Sequence, residues 1–201
     1  MNQEDINKYC DLMAEIKRRT NVIDGFSDGT IHAIYEATTI ESIYLQFRKI
    51  LELIVLGSLI SNRDEYCKNY QNFLTCWNPK KIIAHIERIN PDFYPRPIIQ
   101  QPSSRPGHSM DFIDCSSNFL TKDEFITLYN QCGAILHTGH PDKTPLDFSE
   151  YKGMVPYWRE RIMNLLNAHI ICLLNDPQLY LIQMGCINEL PSYNLFAPSS
   201  R

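Results

Sequence analysis

The chain has 201 residues, 44% of them hydrophobic and 21% charged, and a net charge of −4. This composition suits a globular chain long enough to bury a core, and it excludes a disordered or fibrous one. The negative total also excludes wrapping by nucleic acid through bulk charge alone, while leaving room for a local basic patch.

The first element is a helix over 3–24. Ile6, Tyr9, Met13, Ile16 and Ile23 recur there at helical spacing, and Gly25 stands where a left-handed cap would close it. Lys17, Arg18 and Arg19 fall near its end, where positive charge complements the helix dipole and reads as a solvated helix end. The second element organises the chain: 38–60, TTIESIYLQFRKILELIVLGSLI, carries its densest apolar run. Ile40, Ile43, Tyr44, Phe47, Ile50, Leu51 and Ile54 share one helical face, and Leu45, Leu53, Leu56 and Leu59 widen it. A helix apolar around so much of its circumference is expected to be packed on several sides. Thr38 and Glu41 fit a capping box at its start.

Helical spacing resumes over 64–77 with Tyr66, Tyr70, Phe73, Leu74 and Trp77, a packed aromatic face. Asn78-Pro79 then opens a helix carrying Ile82, Ile83, Ile86 and Ile89, and Asn90-Pro91 ends it. The stretch 90–118 changes character. Its five prolines, with Ser103, Ser104 and Gly107, exclude regular helix, so it reads as a long excursion on which Arg96, Arg105 and His108 ride. Thr121 and Glu124 form a second capping-box pattern before a helix through Phe125, Leu128, Tyr129, Cys132 and Ile135. Val155-Pro156 opens a long helix reaching Leu174, with His169 beside its core stripe as a satisfied core histidine. Short β-prone runs over 179–184 and 193–196 predict a C-terminal β-hairpin, 179–197, docked on the helices.

The expected fold is therefore mainly α. One domain over 1–201 holds a helical bundle of about six helices over 3–175, with the excursion at 90–118 and the small hairpin at the end. The seven cysteines are scattered without a C-x-x-C pair, which suits reduced thiols and a cytoplasmic location. No apolar run approaches the roughly 20 residues that span a bilayer, and the polar, acidic start shows no leader pattern, so no membrane contact is expected.

Chemistry concentrates in LYNQCGAILHTGHP, 128–141, where His137 ends a helix beside a glycine turn and His140 follows three residues later. With RKILELI, 48–54, this stretch resembles the HEPN superfamily, helical-bundle proteins of toxin, defence and RNA-processing systems. Arg48 and Glu52 match the R-x-x-x-E pattern of a core helix, and AILHTG matches the histidine-bearing turn. The resemblance covers about 38–175.

It implies a homodimeric bundle that cleaves RNA without metal through an arginine and a histidine four to six residues apart. The histidine maps onto His137; the arginine does not map, because Asn130, Gln131 and Cys132 stand in its place. The missing guanidinium would stabilise charge developing on phosphate. The reading that follows is a HEPN-like interaction module, non-catalytic, acting with a protein partner in a bacterial defence or toxin-type system. The alternative is a metal-independent endoribonuclease in which His137 serves as acid or base, with His140 nearby and Arg48, Arg159 or Arg161 supplying the cation. Arg48 has a plainer use as an i, i+4 partner of Glu52. A metal held by His137, His140 and Asp142 or Cys132 needs a helical backbone that Gly139 and Pro141 break, so neither metal nor cofactor is expected. Phosphate-loop, dinucleotide and nucleophile-elbow patterns are absent from the sequence.

Overall fold

The structure is a computed structural model, and it describes residues 1–63, 66, 78–107, 109–137, 146–174, 176–186 and 188–196. Among these, five helices pack on one face of a five-stranded antiparallel sheet. The expectation of a mainly α bundle with a small hairpin is thus corrected to an α+β fold.

Helix α1 (Gln3–Ser27) begins under Asn2, whose side chain accepts from the Asp5 amide at 2.8 Å, and buries Ile6, Tyr9, Met13, Ile16 and Ile23. Helix α2 (Glu36–Ser61) is the centre of the core, with Tyr44, Phe47, Ile50 and Leu51 fully enclosed. Gly57 sets how closely these two approach, because a Cβ there would stand 2.9 Å from the ring of buried Tyr9. The capping box expected at Thr38 does not form. The helix starts earlier, at Glu36, and the Thr38 hydroxyl instead donates to the carbonyls of Ala33 and Tyr35. The helix expected over 64–77 lies outside the described residues, apart from Tyr66, which is buried.

Helix α3 (Pro79–Ile89) starts as its sequence requires, with the Asn78 side chain accepting from the Lys81 amide at 3.2 Å. The proline-rich excursion is no loop. It forms β1 (Arg96–Pro102) and β2 (Met110–Asp114), paired antiparallel. Prolines 97 and 102 fit because each bounds the strand or sits at a position where the ladder does not need its missing N–H. Helix α4 (Lys122–Leu136) carries the predicted capping box in full.

Helix α5 (Phe148–Leu166) departs from expectation at both ends. It begins under Asp147, which accepts from the amides of Ser149 and Glu150, so Pro156 lies inside it. It stops at Leu166, and the apolar stretch read as its last turns becomes strand β3 (Ala168–Cys172). Ile170 and Ile171 are both buried, one on each face of the sheet, and a run buried on both faces loses the alternation that marks a strand. Strands β4 (Leu179–Gln183) and β5 (Ser192–Phe196) form the expected hairpin, as one side of a sheet ordered β2-β1-β3-β4-β5.

One face of the sheet joins the helical core through His169, Ile171, Tyr180 and Ile182. The other carries a separate cluster, Ile98, Ile170 and Leu181. In a flat sheet four strand spacings of roughly 4.8 Å would part the edge strands by about 19 Å. Yet Phe112 of β2 and Phe196 of β5 meet edge to face with ring centroids 5.3 Å apart. The sheet is therefore curled, concave over that second cluster. No helix among the described residues is long and apolar enough to cross a membrane.

Candidate functional site

The two halves of the HEPN-like pattern lie on neighbouring helices. Arg48 of α2 makes the expected ion pair with Glu52, Nε to Oε1 at 3.3 Å, and also donates through Nη2 to the Tyr129 hydroxyl of α4 at 2.7 Å. Its guanidinium carbon sits over the Tyr129 ring, 4.4 Å from the centroid, within cation–π range. Tyr129 in turn stacks on Phe125, with centroids 6.4 Å apart and planes within 4°. Burial raises the Tyr129 phenol above its ordinary range, against the opposing pull of Arg48. Lys80 of α3 completes the group, 5.8 Å from the same ring and hydrogen-bonded to Asn130.

His137 caps the C-terminal end of α4 with extended backbone, φ −100° and ψ 131°, and its side chain is exposed. Among the described residues it has neither a hydrogen bond nor an ion pair with any arginine. His140 and Asp142 lie outside the described residues. Among those described, no group of three or more histidine, cysteine or carboxylate side chains is placed to hold a metal ion.

The three arginines available to replace the missing one are committed elsewhere. Arg48 is held as above. Arg159 makes a two-pronged pair with Asp24 at 2.8 and 2.7 Å, which raises its pKa further. Arg161 donates to the Phe119 carbonyl at 3.3 Å and pairs with Glu124 at 3.4 Å. Cys132, on the same helix as His137, is buried, and burial pushes its thiol up to about 12. A thiol so placed stays protonated and is no nucleophile near neutral pH.

Lys17 and His169, away from this group, have structural uses. The Lys17 ammonium donates to three main-chain carbonyls of the β4–β5 connection, those of Met184 (2.8 Å), Cys186 (2.5 Å) and Glu189 (2.8 Å). It ties the hairpin to α1 rather than standing as a solvated helix end. His169 is fully buried, on β3 rather than on a helix. Its Nε2 accepts from the Tyr9 hydroxyl at 2.8 Å and its Nδ1 donates to the Leu166 carbonyl at 2.9 Å. Acceptance at Nε2 calls for the neutral ring, and burial, outweighing the Leu166 bond that favours the charged one, lowers its pKa to about 4.

Sequence reasoning found the β4–β5 hairpin but missed the other three strands and with them two cavities. One, of about 320 Å³, fills the concave face between Ile98, Ile170, Leu181 and the Phe112–Phe196 pair. The other, of about 1070 Å³, opens beside β1 ahead of the start of β3, with the amide side chains of Gln100, Asn118, Asn164, Asn167 and Gln183 on its lining. The only signal for either was the β-branched, proline-bounded run at 96–102. Comparison with family models, with curated proteins and with solved structures finds no match to this chain.

Proposed function

We propose that the chain is a HEPN-like interaction module without nuclease activity of its own, working as a homodimer beside a protein partner. The observation that carries this reading is the fate of Arg48. Both arginines that reach the His137-bearing helix are spent within the fold, Arg48 on Glu52 and Tyr129 and Arg161 on Phe119 and Glu124, so among the described residues neither is presented with the histidine. Phosphoryl chemistry without metal needs that cation where charge develops. A defence or toxin-type setting, and contact with RNA, rest on the resemblance alone.

Support for self-association comes from the outer stripe of α2. Leu45 is 42% exposed, and Leu53 and Leu56, with Arg19, Lys49 and Glu52, border a shallow cavity of about 380 Å³. An apolar stripe rimmed by both charge signs is the kind of surface a two-fold interface can match to itself.

The test is incubation of total cellular RNA with purified protein in EDTA, alongside His137→Ala, with the mass in solution measured on the same samples. A dimer that leaves RNA intact in both forms is the expected result. Cleavage by wild type and not by His137→Ala would establish the endoribonuclease alternative and overturn the proposal.

A further inference from the structure

The larger cavity lies beside a stretch of strand edge that is unpaired among the described residues. β1 and β2 are paired through five positions, from Ile98 opposite Asp114 to Pro102 opposite Met110, whereas β1 and β3 are paired only at Arg96 and Pro97. The Pro97 carbonyl accepts from the Cys115 amide at 2.9 Å, and the Ser103 amide donates to Ser109 at 3.2 Å. Peptide groups alternate sides along an antiparallel strand, so odd-numbered residues here turn toward β2 and even-numbered ones away from it. The N–H and C=O of Gln100 therefore face the side where β3 would lie, but β3 begins only at Ala168.

That gap is the cavity of about 1070 Å³. Asn164 and Asn167, at the end of α5, stand on its far side. Across it the Gln183 side chain donates to the Gln100 side chain at 3.3 Å, reaching past the small Ala168. The charged residues on its lining are Asp114 and Glu189, both acidic.

We infer that this cleft takes an extended peptide from a partner protein, added as a strand to the free edge of β1, uncharged or basic in its side chains. Three features point to that occupant. A strand edge offers main-chain hydrogen bonds in the spacing only another extended backbone matches. The surrounding amides supply both donors and acceptors for a peptide's remaining groups. The two acidic residues disfavour acidic side chains. This site is separate from the helix face and from His137, so it stands or falls apart from the function proposed above.

The test is selection of a phage-displayed library of random heptapeptides on the full chain, followed by titration of synthetic copies of the enriched sequences. Gln100→Pro deletes the Gln100 N–H that faces the cleft and leaves the β1–β2 ladder its bonds. The expected result is enriched peptides free of acidic residues whose affinity falls at least tenfold on Gln100→Pro. In the wild type, the same peptides should slow hydrogen exchange at the Gln100 amide, a readout that holds even if the proline variant does not fold. Failure to enrich any peptide, or protection that falls on Phe112 at the outer edge of β2, would overturn the inference. So would protection of Gln100 that rises with protein concentration alone, which would make a second copy the occupant.

Discussion

His169 shows how one buried side chain sets a pH limit for the whole fold. Its ring is neutral in the folded chain, with a pKa lowered to about 4 by burial, against an ordinary value of 6.5. Between those values the unfolded chain binds a proton that the folded chain refuses, so stability is full above about pH 6.5 and is lost as pH falls toward 4. At 1.36 kcal/mol per pKa unit the loss amounts to about 3 kcal/mol. Urea unfolding at pH 7.5 and pH 4.5 should show it, and in His169→Gln the difference should shrink by that amount, since the amide can serve Tyr9 and Leu166 without titrating. An equal pH difference in both proteins would assign the acid sensitivity to other groups. The sequence made His169 readable as a core histidine because it stands among isoleucines and leucines. Its partner was not readable: Tyr9 is 160 positions away, and only the packing of α1 on β3 joins them.

Helix ends were legible where the cap is local, and illegible where tertiary structure competes for the capping group. Thr121 and Glu124 form the box their spacing implies, with the Glu124 amide donating to Thr121 Oγ1 at 3.2 Å and the Thr121 amide to Glu124 Oε2 at 2.9 Å. Thr38 and Glu41 have the same spacing, but the turn before α2 offers Thr38 two carbonyls, and the helix starts elsewhere. Thr121→Ala, which removes the cap and leaves Glu124 its bonds to Tyr157 and Arg161, should therefore destabilise the protein by about 1 kcal/mol, whereas Glu41→Ala should stay within about 0.5 kcal/mol. Equal losses in denaturant unfolding would mean that the second box forms after all. The same competition hid β3. Its residues continue the apolar run of α5, and only the strands on either side decide that the chain extends there. Of the candidate site, Arg48, Glu52 and His137 were legible as motif positions. That Tyr129 would take up Arg48 was not, because the contact spans 81 positions between two helices.

At the scale of the molecule, the curl of the sheet distinguishes this fold from a flat layer under helices, and it makes a measurable coupling between strands that are never neighbours in the sheet order. Phe112 and Phe196 sit on opposite edge strands, separated by β1, β3 and β4. In a flat sheet they would be independent, and the costs of Phe112→Ala and Phe196→Ala would add. In the curled sheet the two rings touch, 42% and 39% exposed respectively, over the cluster of Ile98, Ile170 and Leu181. An aromatic pair in this geometry contributes roughly 0.5–1.5 kcal/mol beyond its buried area, and partial exposure places this one toward the lower end. A double-mutant cycle on unfolding free energy should return a coupling of about 0.5 kcal/mol or more, with each single substitution already releasing most of it. Strict additivity would mean that the edges do not meet in solution. The concave cavity would then be an open apolar surface, and exposure of Ile170 and Leu181 to solvent should follow as increased binding of a hydrophobic dye by the unmutated protein.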